Sequence, residues 1–96
     1  MRVISKHPKL SEFWSKYPNA EKPLLAWHRL AEHAHWASFA EIRKDYPHAD
    51  MVGRFVVFNI GGNKYRLIVR ILHRRGRIYI SHVLTHRDYS LGGWKD

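Results

Sequence analysis

Lys64, Arg66 and Arg70 recur at even spacing in an otherwise apolar run, and His86 and Tyr89 follow within one short polar segment, Thr85-His86-Arg87-Asp88-Tyr89. Side chains alternate between faces along a strand, so Lys64, Arg66, Ile68 and Arg70 share one face while Tyr65, Leu67, Val69 and Ile71 share the other. Residues two apart stand about 6.5–7 Å from each other, close to the spacing of successive phosphates on a nucleic-acid strand. Cations with no interleaved acid repel one another, and a purely solvated face would usually mix signs. The row is therefore expected to meet a polyanion.

These residue types suit RNA cleavage without a metal. That reaction needs a base for the 2′-OH proton, donors for the extra negative charge of the phosphorane, and an acid for the departing 5′-oxygen. Arg66 and Arg70 are the candidate charge stabilisers. Lys64 binds phosphate, or serves as base if desolvation and neighbouring cations depress its pKa. Histidine is the side-chain type suited to proton transfer at physiological pH, which makes His86 the candidate acid or base. Tyr89 orients the phosphate or donates a proton. Lys6 and Asn63 are further candidate RNA contacts. Arg74, Arg75 and Arg77 crowd a turn, where they reach RNA phosphates or simply stay solvated. His82 falls in a strand pattern with Ile78, Ile80 and Leu84, which favours a structural role.

Charge places the partner. The 96 residues carry a net charge of +9, with a pI of about 10.3. Residues 1–50 hold 8 Lys/Arg against 6 Asp/Glu, while residues 51–96 hold 9 against 2, and seven of those nine are arginine. Arginine suits bidentate phosphate contacts, so nucleic acid is expected to meet the second half. No cysteine is present, which excludes disulfides and thiolate metal sites. His28, seven residues before His35, could share a helical face with it, but no His-Glu-x-x-His appears around His28, His33 and His35 and no nearby acid pair completes a site, so neither metal nor cofactor is expected. The opening residues hold no continuous apolar run, and no membrane-length apolar stretch follows. A soluble chain that stays in the cytoplasm is expected.

The elements that must position these groups follow from periodicity. Arg2–Ser5 reads as a short strand. Leu10, Phe13, Trp14 and Tyr17 form a helical stripe after Pro8. Asn19 is the expected cap of a second helix, with Leu24, Trp27, Leu30, Ala31 and Ala34 on its apolar side. Ser38-Phe39-Ala40-Glu41 fits a capping box for a short third helix ending by Pro47. From Arg54 the pattern becomes strand (54–60), Gly61-Gly62 turn, strand (64–72), turn at His73–Gly76 and strand (77–84). Trp14 and Trp27 lie on stripes. Trp36 and Trp94 do not, so they are the tryptophans that base stacking would use if they are not core. The expected fold is one α+β domain over residues 1–96, an N-terminal strand and two to three helices packed on an antiparallel meander.

The run Arg54-Phe55-Val56-Val57-Phe58-Asn59-Ile60-Gly61-Gly62-Asn63-Lys64-Tyr65-Arg66-Leu67 resembles the hairpin of HigB-type toxins, members of the RelE-like superfamily of type II toxin–antitoxin systems. Arg2-Val3-Ile4-Ser5-Lys6, Phe13-Trp14, Pro23-Leu24 with Trp27, Tyr46-Pro47 and Thr85-His86-Arg87-Asp88-Tyr89 extend the likeness in the same order. The resemblance implies a RelE-like fold and an mRNA endonuclease, often acting on messages under translation at the ribosome. It also implies a cognate antitoxin, usually a helix-turn-helix protein. Relatives commonly carry an acid after the tyrosine of the late motif, where this chain has Ser90. The alternatives are a non-catalytic RNA- or ribosome-binding module and a basic protein-interaction subunit.

Overall fold

A computed structural model describes residues 1–95. Strand β1 (Arg2–Ile4) leads to helices α1 (Lys9–Lys16), α2 (Glu21–His33) and α3 (Phe39–Asp45). Four more strands follow: β2 (Asp50–Val52), β3 (Phe55–Ile60), β4 (Tyr65–Leu72) and β5 (Arg77–Thr85), then helix α4 (His86–Leu91). The strands form one sheet in the order β1-β5-β4-β3-β2. The meander β2 to β5 is antiparallel, and β1 joins β5 in parallel, so the sheet is mixed. The expected α+β architecture stands, with β2 and α4 added.

Alternation along β4 works as the sequence suggests. Tyr65, Leu67 and Val69 are buried against the helices, together with Phe58 and Ile60 of β3 and Ile78 and Ile80 of β5. Leu24, Trp27 and Ala31 of α2 and Ile42 of α3 close this core from above. Phe58 is its centre: Trp27, Trp36 and Tyr46 all lie within 6 Å of its ring centroid. Trp36 is thus core and no base-stacking platform; its indole Nε1 donates to Asp45 at 2.8 Å. Ser38 caps α3 by accepting from the Glu41 amide. Asn19 caps nothing: it lies in a 3₁₀ turn, Pro18–Ala20, and Ala20 precedes α2 without a side-chain cap. Tyr17 and Leu30, placed on the apolar stripes by spacing, are each 37% exposed.

The opposite face of the sheet is not simply solvated. Val57 of β3 and Ile68 of β4 are buried there under Trp94, with Phe55, Leu84 and Tyr89 packed around them. Trp94 stacks on Tyr89 (5.2 Å between centroids, 16° between planes) and meets Phe55 edge-on. Its Nε1 donates to the Tyr89 carbonyl at 3.1 Å. The C-terminal segment therefore folds back as a lid on this face, and Trp94 is structural.

β5 carries one irregularity that matters for function. Ile68 pairs with His82 while Val69 pairs with Ile80, leaving Ser81 as an extra residue. Such a bulge shifts the alternation by one. Ile78 and Ile80 face the helices, and His82 and Leu84 face outward with Ile68. β1 ends at Ile4, opposite Tyr79, so the rest of β5 has no strand on that side. Lys9 fills the gap, its Nζ donating to the carbonyls of Ser81 (3.0 Å) and Ile80 (3.5 Å).

If Trp94 is the keystone of the outer cluster, Trp94→Ala should cost about 3 kcal/mol in urea unfolding, as expected for deleting a large buried aromatic. A loss below about 1 kcal/mol would contradict it.

Candidate nucleic-acid interface and active site

The site begins at the β3–β4 turn. Gly61 and Gly62 both have positive φ (63° and 70°), a conformation other residues adopt only with strain. That tight reversal sets Asn63 back over the start of β4. Its Oδ1 accepts from Arg66 Nη2 at 2.6 Å. The carbonyls of Asn63 and Tyr65 accept from Nη1 at 3.3 and 3.1 Å. The guanidinium carbon sits 5.6 Å from the centroid of the Tyr89 ring, within range of a cation–π contact. Arg66 is only 8% exposed.

Burying a cation is expensive unless something offsets its charge. Here the compensation is partial: three carbonyl contacts and a ring face. Among the described residues the only ion pair is His28 with Glu32 at 2.7 Å, so no described carboxylate neutralises Arg66. A guanidinium has five N–H donors. Three contacts leave donors for an incoming anion.

Helix α4 brings the remaining groups. Thr85 caps it, accepting from the Asp88 amide at 3.1 Å. The His86 amide donates to the Lys64 carbonyl at 2.9 Å, so Lys64 and His86 are backbone neighbours. Tyr89, one turn on, reaches over Arg66. Ser90 donates to the His86 carbonyl at 2.9 Å, an intrahelical bond, so it does not take up the orienting role of an acid at that position. Asn63, Lys64, Arg66, His86 and Tyr89 are thus brought together.

The other candidates lie elsewhere. Arg70 is four residues beyond Arg66 on the same face, about 13 Å along the strand. The Arg66 guanidinium is drawn the other way, toward Asn63. The two arginines therefore do not converge on one phosphate. Arg70 instead lines an open cleft with Lys6 and Tyr79. Arg74 and Arg75 lie exposed in the β4–β5 turn, and Arg77 is half-buried opposite Leu72, at the far end of the sheet, about 20 Å from Arg66 along β4.

His82 corrects its sequence-based placement. The bulge takes it off the face of Ile78 and Ile80, and its Nδ1 lies 2.9 Å from the Ser81 hydroxyl. Burial first, then the positive charge of Lys9, lowers its pKa below the ordinary histidine value.

A family model described as HigB_toxin, RelE-like toxic component of a toxin-antitoxin system, matches residues 20–91. The chain belongs to the HigB toxin family. The mRNA interferase HigB of Escherichia coli O6:H1 is 29% identical over 92 residues, covering 93% of this chain and 88% of the relative. The mRNA interferase toxin HigB of E. coli K12 is 25% identical over 83 residues, covering 83% and 80%. The HigB of Shigella flexneri matches to the same extent. The five-stranded mixed sheet with its helices fits the RelE-like fold of this family. The HigB match contains all five clustered residues, Asn63 to Tyr89. No helix among the described residues is long and apolar enough to cross a membrane.

The environment of His82 sets a pH dependence. A lowered folded-state pKa means that the unfolded chain binds this proton more readily. The stability from His82 is complete above about pH 6.5 and is lost as pH falls from there toward the folded-state value. Tm should therefore drop between pH 7.5 and 5.5 in the wild type, and drop less in His82→Gln. Equal drops in both proteins would contradict this environment.

Proposed function

We propose that this HigB-family toxin is a metal-independent mRNA endonuclease whose reaction is run by Arg66, Lys64, His86 and Tyr89. The observation that carries the reading is the Arg66 guanidinium, buried yet unpaired by any described carboxylate, beside the one backbone junction that joins Lys64 to His86. A phosphodiester supplies the missing negative charge. Arg66 holds a non-bridging oxygen and gains strength as the phosphorane develops, because it is fixed before the reaction begins. Lys64 adds a second cation. His86 takes the 2′-OH proton as that oxygen attacks phosphorus, and the same exchange returns a proton to the departing 5′-oxygen. Tyr89, against Arg66, aligns the phosphate. The products are a cyclic phosphate and a free 5′-hydroxyl.

The wider setting follows from charge and family. The names of the relatives describe messenger RNA as the target. Arg74, Arg75 and Arg77, at the end of the sheet remote from Arg66, suit contacts with ribosomal RNA while a message occupies the site. The basic outer face also suits a cognate antitoxin, expected to be a helix-turn-helix protein, and the working compartment is the cytoplasm.

Inducing the chain in bacteria should arrest growth and leave new mRNA 5′ ends in primer extension. His86→Ala should reduce cleavage by about 10²-fold or more, with an unchanged circular dichroism spectrum. Arg66→Lys should also lose activity, because an ammonium cannot keep both the Asn63 contacts and the phosphate. Chelator should leave in vitro cleavage unaffected. RNA that is bound but intact beside translating ribosomes would favour a non-catalytic binding module and overturn the proposal.

A further inference from the structure

Tyr89 and Trp94 cover the outer face of the sheet over β3 and the near half of β4. Toward β1 the same face opens into a cleft of about 610 Å³. Its cations come from three elements: Lys6 from the β1–α1 loop, Lys9 from α1 and Arg70 from β4. Ile4 and Leu72 give it an apolar floor, Tyr79 stands opposite Arg70, and no carboxylate of a described residue lines it. Lys9 is not a loose surface amine. Two of its donors are held by the Ser81 and Ile80 carbonyls at the bulge, which leaves one free for a ligand. Arg70 is exposed and hydrogen-bonded to no described residue.

We propose that this cleft is a phosphodiester subsite for the single-stranded RNA that is cut at the Arg66 cluster. Lys9, Lys6 and Arg70 grip a backbone phosphate about two or more nucleotides from the scissile one, at steps of about 6.5–7 Å. The proposal rests on the endonuclease reading of that cluster. Its placement comes from β4: Arg66 and Arg70 stand on one face with their backbones about 13 Å apart, so the cleft continues the basic face beyond the Tyr89 and Trp94 cover. Ile4 and Leu72, on the far side of Arg70 from Arg66, suit a ribose next to that phosphate. Arg70 thereby becomes a binding residue rather than a group acting on the reacting phosphate. Lys9 and Tyr79 join the interface. The subsite also imposes a minimum length on the RNA to one side of the cut.

The test uses the purified full-length chain and a fluorescein-labelled, fully 2′-O-methylated RNA octamer, which cannot be cleaved. Binding is measured across a potassium chloride series. Each lost phosphate contact should reduce the slope of log affinity against log salt by about 0.7. Arg70→Gln and Lys9→Gln should each show that reduction, and Lys44→Gln on α3 should not. Arg70→Gln removes an exposed side chain, so it stands as the fold-safe variant if Lys9→Gln unsettles the bulge. Slopes unchanged in Arg70→Gln, no octamer binding by the wild type, or preference for an RNA duplex would each overturn the proposal. So would a glutamate-rich peptide whose binding alone depends on Arg70, which would assign the cleft to an acidic protein. Cleavage in cells is read separately, so failure of the endonuclease reading and failure of the subsite give different results.

Discussion

An arginine that is 8% exposed, with no described carboxylate beside it, needs its charge offset by other means, and the outer half of this molecule is arranged around Arg66 accordingly. The Gly61-Gly62 reversal delivers the Asn63 side chain and carbonyl to its terminal nitrogens. Helix α4 delivers the ring of Tyr89. Each contact offsets part of the desolvation, and none neutralises the charge. Among the described residues Arg66 is met by dipoles alone, which suits it to the phosphate of the proposed RNA substrate.

The C-terminal segment depends on the same constraint. Tyr89 covers Arg66 only because Trp94 stacks behind it and hydrogen-bonds to its carbonyl. Trp94 in turn finishes an apolar cluster built on Val57 and Ile68. Packing energy from that small second core thus fixes an electrostatic arrangement. The bulge at Ser81 does comparable work at the other end of the face. It turns His82 outward and presents two carbonyls that immobilise Lys9. A single extra residue in β5 therefore separates the closed region around Arg66 from the open cleft around Arg70.

Much of this was legible in the sequence where the signal was periodic. The apolar alternation of Tyr65, Leu67 and Val69 located β4 and put Arg66 and Arg70 on the opposite face. The two-glycine turn and the Ser38 cap were equally readable. The bulge was not, because a bulge carried by serine leaves no mark in composition, and strict alternation without it groups His82 with Ile78 and Ile80. Helix α4 was missed although Thr85-His86-Arg87-Asp88 has the spacing of a capped helix start, since six residues give no periodicity. Strand β2, three residues at an edge, had too little pattern to show. Trp36 lies outside every stripe because its partner Phe58 comes from a distant strand, and Trp94 because it follows the turn at Gly92 that ends α4. Even spacing made Lys64, Arg66 and Arg70 look like one row; only hydrogen bonding distinguishes the buried arginine from the exposed one. Lys9 had no local signal at all, since its partners lie more than 70 residues away.

The most direct measurement of the central claim is an NMR titration of the arginine side-chain Nε–Hε signals with a dinucleoside monophosphate lacking the attacking 2′-hydroxyl. If Arg66 is a buried cation awaiting a phosphate, its signal should shift and its hydrogen exchange should slow at the lowest ligand concentrations, before Arg74, Arg75 or Arg87 respond. Shifts confined to those exposed arginines, with Arg66 unmoved at saturation, would contradict it and leave Arg66 as a structural post beneath Tyr89.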